Sequence, residues 1–302
     1  MQRGARSTRK RSVSLRSWPE AESLAWLHGF EAGRAWLAEL PRLVAECAER
    51  WRLKLGEPFA APYVSLPVAA KLPDGTDVVL KVQFPDRESE HEADALALWD
   101  GEGAIRLLAH DPERHALLLE RCLPGTPLSA LAEDTVLDVF VGLLPRLLKP
   151  AGSPFRPLAD EAAWWSASLD AKWEEAGRPF ERRLLDAALE ALRTLPLSQG
   201  EPVLVHQDLH PGNVLRAQRE PWLAIDPKPL AGEREFAVAP IVRAFELAPE
   251  RNRVVHRLDR LTAELGLDRE RARLWTLGQT VAWSFGSDDF ERHIATARSL
   301  LP

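Results

Sequence analysis

Val203-Leu204-Val205-His206-Gln207-Asp208-Leu209-His210-Pro211-Gly212-Asn213-Val214-Leu215, followed shortly by Trp222-Leu223-Ala224-Ile225-Asp226-Pro227-Lys228, is the stretch on which the fold turns. Two short apolar strands, Val203–Val205 and Trp222–Ile225, bracket a polar loop broken by Pro211 and Gly212. Asp208 and Asn213 lie in that loop, and Asp226 at the exit of the second strand. Strands arranged this way bring a loop's oxygens close to the next strand's end. A hard cation such as Mg²⁺ takes a few protein oxygens and completes its shell from substrate phosphates. Asn213 and Asp226 offer such oxygens, and Asp208 is left to orient a hydroxyl and accept its proton. Phosphoryl transfer asks for little beyond that positioning and charge neutralisation. His206, Asp208 and His210 also form a trio of the metallohydrolase kind. A zinc site would want three or four ligands, and no further partner stands out.

Outward from this stretch, the chain reads as a small α+β half followed by a larger helical half. Apolar residues recur at helical spacing between Pro19 and Trp51. Tyr63–Lys71 and Val78–Phe84 read as strands around the turn Pro73-Asp74-Gly75. A helix is expected from Pro85 to Asp100, ended by Gly101 and Gly103. The strands Ile105–Ala109 and Ala116–Glu120 follow. Leu123-Pro124-Gly125-Thr126-Pro127 breaks the pattern and reads as a linker. Helices are expected at 129–149, 158–176 and 180–195, and again over 241–300. This order predicts two lobes with a ligand cleft between them. No internal repeat of 20–50 residues is present.

Composition narrows the classes. A chain of 302 residues buries roughly 75% of its surface on folding, and its two cysteines, Cys47 and Cys122, form no CxxC pair, so neither a disulfide scaffold nor a structural zinc site is expected. No apolar run reaches the ~20 residues of a membrane span, and no signal-peptide core is seen. A cytoplasmic protein without membrane partners is expected. Residues 1–16 carry six positive charges and no acid; with these set aside, the net −6 becomes −12 for the remainder. The first 18 residues are read as a basic, disordered leader. The acidic body argues against nucleic acid as a partner and favours a cationic small molecule.

The pattern His206-x-Asp208-x4-Asn213 with Asp226 downstream resembles the catalytic loop and metal-binding aspartate of the aminoglycoside phosphotransferases. The wider wording is similar to the aminoglycoside/hydroxyurea resistance kinase family, the group of streptomycin 6-phosphotransferases. Phe84-Pro85-Asp86, His91–Leu96, Leu107–Asp111 and Leu118–Arg121 share the likeness, which covers roughly residues 20–300. The resemblance implies an α+β, two-lobed protein-kinase-like fold: a small β-rich N-lobe over 19–122, a linker at 123–127, and a larger, mostly helical C-lobe over 128–302. It implies an ATP- and Mg²⁺-dependent transfer of phosphate to a hydroxyl of an aminoglycoside-like antibiotic. Asp208 would be the catalytic base, and Asn213 and Asp226 the metal ligands. Lys81, one of seven lysines, would reach the nucleotide phosphates, with Glu92 as its partner and Glu90 as the rival. Glu120 to Cys122 would offer backbone groups to adenine. Acids of the helical lobe, among them Glu233, Glu235, Asp288, Asp289 and Glu291, would meet cationic groups of the acceptor, with Glu235 and Asp288 the chosen candidates. His206 would brace the loop, and Lys228 is either a phosphate contact or a solvated loop lysine.

Three departures bear on activity. Residues 57–65 lie where the family has a nucleotide loop, usually with glycine, and Pro62 has no N–H to offer phosphate. Ser65 is then left to carry that contact. Gln207 replaces a small glycine, and Ala237 stands where an aspartate usually braces the catalytic loop. These departures motivate the alternative of a degenerate kinase that binds nucleotide without transfer.

Overall fold

The computed structural model describes residues 22–59 and 64–302. Two compact units result, one from the chain up to Asp86 with Leu107–Arg121, the other from Arg87–Arg106 with Cys122–Pro302. The expected leader and Pro62 lie outside the described residues.

In the first unit, a 3-10 stretch at Glu22–Gly29 precedes helix α1 (Glu31–Arg50). The single helix expected from Pro19 is therefore divided at Phe30, whose backbone is extended. Strands β1 (Lys54–Pro58), β2 (Ser65–Lys71) and β3 (Asp77–Gln83) follow. After helix α2 (Glu92–Trp99), which belongs to the second unit, come β4 (Leu107–Asp111) and β5 (Ala116–Glu120). The five strands form one antiparallel sheet in the order β1-β2-β3-β5-β4. Lys71 faces Asp77 across the predicted turn, where Gly75 takes a φ of 93°. Val78, Leu80 and Val82 alternate onto one face of β3, as a half-buried strand requires. Leu80 and Val82 pack with Leu66 and Val68 of β2 beneath Trp36, Leu40, Val44 and Cys47, the apolar stripe of α1.

Gly33 of α1 sits where a Cβ would lie 2.2 Å from the Leu27 carbonyl oxygen. A methyl there would push the 3-10 stretch off the helix. Gly33→Ala is expected to destabilise by about 1–3 kcal/mol, the ordinary range for overpacking, read as a lower denaturant midpoint at unchanged m-value.

The second unit adds α3 (Glu133–Leu147), α4 (Leu158–Glu175), α5 (Arg182–Thr194), β6 (Val203–His206), β7 (Val214–Arg216), β8 (Trp222–Ala224) and β9 (Pro229–Gly232). It closes with α6 (Ala239–Val242), α7 (Arg251–Leu265), α8 (Arg269–Ser284) and α9 (Phe290–Ser299). Helix α8 is its axis, buried from Trp275 to Ala282 and packed against α4 to α7 and α9. Gly278 permits this, because a Cβ there would fall 2.8 Å from Leu192 of α5. Two ribbons lie in the same unit: β6 pairs with β9, and β7 with β8, both antiparallel. Among the described residues no helix is long and apolar enough to cross a membrane.

Candidate active site

The ribbons fix two loops, residues 207–213 between β6 and β7, and residues 225–228 between β8 and β9. Their backbones are tied to each other: Gln207 N–H donates to Lys228 C=O at 3.1 Å, and Ile225 N–H to Asn213 C=O at 2.9 Å. His206 adds its ring. Its Nε2 bonds the Ile225 carbonyl at 3.1 Å, while its Nδ1 accepts the Asp208 N–H at 3.1 Å. That pair of bonds requires the neutral Nε2–H tautomer. Burial keeps the ring neutral, pushing its pKa down to about 4 despite the nearby Asp208. With both nitrogens engaged, His206 has no lone pair for a metal, which removes the metallohydrolase trio.

Asp208 lies between two cations. Lys228 Nζ is 3.2 Å from Oδ2, and Arg243 Nη2 is 3.5 Å from Oδ1. Burial alone would raise the carboxyl pKa, but the charges of Lys228, His210 and Arg243 outweigh it and hold the group well below the usual carboxylate range. Lys228 also pairs with Glu88 at 2.9 Å. Burial disfavours its charge, yet Asp208 and Glu88 together raise its pKa above the ordinary lysine value. It is thus a permanent cation. Lys228 and Arg243 both rest on the Trp283 ring, at 4.9 and 4.3 Å from its centre.

Asn213 Nδ2 donates to the Asp208 carbonyl at 2.9 Å, so its Oδ1 is the atom a cation would take. Asp226 adopts a φ of 54°, in the left-handed region that Asp tolerates better than most residues. Both groups are hard oxygen donors, which fits Mg²⁺. No cluster of three or more His, Cys, Asp or Glu able to hold a metal exists among the described residues. Mg²⁺ held by these two groups would complete its shell from phosphate oxygens and water.

The other expected site residues are placed as follows. Lys81 sits in β3 opposite Pro67 and Leu117, and Ser65 opens β2; both are buried. Glu120 ends β5. Glu92, the buried first residue of α2, and Cys122, a buried free cysteine, belong to the second unit. Asp288 is exposed before α9. Glu235 accepts a 3.4 Å bond from Asp268 N–H at the α7–α8 turn. Glu233 is buried and taken up by Arg271 and the Trp275 indole.

Sequence reasoning missed Glu88, Arg243, Glu246 and Gln279. Glu246 Oε1 accepts from Gly212 N–H at 2.8 Å and meets His210 Nδ1 at 2.6 Å. Burial opposes the His210 charge, but Glu246 and Asp208 outweigh it and raise its pKa. Glu246 Oε2 is buried with no hydrogen-bond partner among the described residues. Gln207 is wholly buried, and neither polar atom of its side chain finds a described partner. An unsatisfied buried amide costs about 1–3 kcal/mol. Gln207→Met, close in volume, is expected to recover that much stability and leave transfer rates within about threefold, since only the backbone of residue 207 joins the loop network.

A family model described as aminoglycoside/hydroxyurea antibiotic resistance kinase matches residues 50–287. The chain is 42% identical over 288 residues to a hydroxyurea phosphotransferase of Kitasatospora aureofaciens, covering 91% of this chain and 82% of that protein. It is 40% identical to a streptomycin 6-kinase of Streptomyces glaucescens, covering 86% and 87%. Among solved structures it resembles a choline kinase of Streptococcus pneumoniae (TM-score 0.63, 13% identity, 87% of this chain and 99% of that one). It also resembles an aminoglycoside phosphotransferase bound to ADP and hygromycin B (TM-score 0.59, 15% identity, 84% and 97%). The fold is accordingly the α+β, protein-kinase-like one.

Proposed function

The chain belongs to the aminoglycoside/hydroxyurea antibiotic resistance kinase family, and from that premise we propose that it moves the γ-phosphoryl group of ATP onto a hydroxyl of a streptomycin-type aminoglycoside or a related small antibiotic, and so confers resistance. The observation that carries this reading is Asp208, an ionised carboxylate steadied by Lys228 and Arg243, in a loop that Asn213 braces from within and whose backbone is bonded to Ile225 and Lys228 beside Asp226. Asp208 accepts the acceptor's hydroxyl proton as that oxygen bonds to the γ-phosphorus and the bond to ADP breaks. Asn213 and Asp226 would hold Mg²⁺, which would supply charge neutralisation on the phosphates. Lys81 and Ser65 serve the nucleotide phosphates, and the backbone of Glu120 to Cys122 serves adenine. ATP as donor places this work in the cytoplasm.

The acceptor is cationic in this proposal. The acidic body draws a cation toward the protein. Exposed Asp288 and half-buried Glu235 are the candidates for an amino or guanidino group, since Glu246 is already taken up by His210 and the Gly212 N–H. Transfer of labelled γ-phosphate to a panel of streptomycin, other aminoglycosides and hydroxyurea tests the proposal. Transfer to at least one acceptor is expected. Folded protein that binds ATP and phosphorylates none of them would overturn it in favour of a nucleotide-binding module.

A further inference from the structure

A catalytic carboxylate is only as good as the backbone and rotamer that aim it. Position 237, where the family resemblance expects a loop-bracing acid, carries only the buried methyl of Ala237. The loop is held from a different element. Gln279, wholly buried in the middle of α8, donates through Nε2 to the Gln207 carbonyl at 2.7 Å. Its Oε1 accepts from Arg243 Nε at 3.0 Å. Arg243 in turn reaches Asp208, with Nη2 3.5 Å from Oδ1. One turn further along α8, Trp283 lies under the same guanidinium. One face of α8 thus fixes Arg243 twice, at its edge by Gln279 and across its plane by Trp283. The same Gln279 also pins the residue immediately before Asp208.

We propose that Gln279 is the positioning residue of the catalytic loop, one neutral amide that locks the Gln207 backbone and the Arg243 arm into a single unit aimed at Asp208. The chemistry of the side chain suits this role. A carboxylate could accept from Arg243 but could not donate to a carbonyl, whereas an amide does both. A buried amide bonded at both ends rigidifies what it joins. The rigid mount is α8 itself, the axis of its unit. The inference rests on the phosphotransferase reading for its kinetic consequences, though not for its structural one.

The test uses the full chain with Gln279→Leu, Gln279→Glu, Arg243→Met and the Leu/Met double variant. Gln279→Leu is expected to lower kcat by about 10–100-fold while KM for ATP and acceptor moves less than about threefold. Gln279→Glu keeps the Arg243 bond, loses the carbonyl bond, and falls between parent and Gln279→Leu. The double variant is expected to be no more than about threefold slower than Arg243→Met alone, because residues acting as one unit are non-additive. Amides of 206–213 should exchange hydrogen faster in Gln279→Leu, and those of β2 and β3 at the parent rate. A kcat within threefold of parent, multiplicative losses in the double variant, or unchanged exchange in 206–213 would each overturn the proposal. Should Gln279→Leu fail to fold, Gln279→Glu carries the same kinetic and exchange comparison. Should the parent transfer phosphate to no acceptor, the proposed function fails, and the exchange comparison alone decides the role of Gln279.

Discussion

Asp208→Asn is expected to lower the phosphoryl-transfer rate by about 10²–10⁴-fold, the usual worth of a positioned general base. ATP affinity should stay within about threefold. The substitution preserves shape; one of the two cations keeps the amide oxygen as its acceptor while the other faces the NH2, and the loop bonds through His206 and Asn213, made to the backbone of residue 208, survive. What is lost is the group that takes the hydroxyl proton. Single-turnover transfer of labelled phosphate separates this loss from any change in product release. The parent enzyme should show no acid limb from Asp208 near neutral pH, because its neighbouring cations hold the carboxyl well below the usual range. A variant that transfers at the parent rate would remove Asp208 from the chemistry.

The difference between a legible and an illegible residue is sequence distance. Asp208, Asn213 and Asp226 could be found because one loop and the next strand carry them all. The residues that tune Asp208 come from elsewhere. Arg243 and Gln279 meet across 36 positions, and Gln279 and Gln207 across 72. No local spacing announces such partners, and a Gln or Arg on a helical stretch looks the same whether it braces a loop or faces water. Glu233 and Glu235 illustrate this from the other side. Read from sequence they are two similar acids, yet one is a buried anchor for Arg271 and Trp275 and the other meets a helix N-terminus.

The fold divides in the same way. Strands β6 and β8 were visible as apolar runs, and the helical half as 3.6-residue periodicity. Strands β1, β7 and β9 were not. Lys54-Leu55-Gly56-Glu57-Pro58 has no alternation, and Pro229-Leu230-Ala231-Gly232 contains no β-branched residue. Each is a strand because a long-range partner makes it one, Ala70 and Lys71 for β1 and Val203–His206 for β9. Strand β9 matters most, since its pairing with β6 sets Lys228, the residue just before it, against the Gln207 backbone.

Lys228→Met should lower kcat/KM by about 10²–10³-fold, the cost of removing one preorganised charge from a site of this kind, and should move the acid limb of its pH profile upward. Lys228 Nζ bridges Glu88 and Asp208, and it stays charged across the physiological range because both carboxylates raise its pKa. Without it, two carboxylates remain with a thioether between them. Asp208 then retains Arg243 and His210 as its cations, and loses the one whose charge lowers its pKa most. Its pKa must rise. A base is active only when deprotonated, so a raised pKa moves the loss of activity on acidification to higher pH, toward the assay range. The parent, with a depressed Asp208, shows no such loss there. Lys228→Arg should not rescue the rate fully, because a longer, planar guanidinium does not put one compact charge between Glu88 and Asp208 as the lysine ammonium does. A rate loss with an unshifted profile would mean that Lys228 acts on phosphate alone. A shifted profile at the parent's plateau rate would mean that it acts on Asp208 alone. Both effects together are what its placement between the base and Glu88 requires.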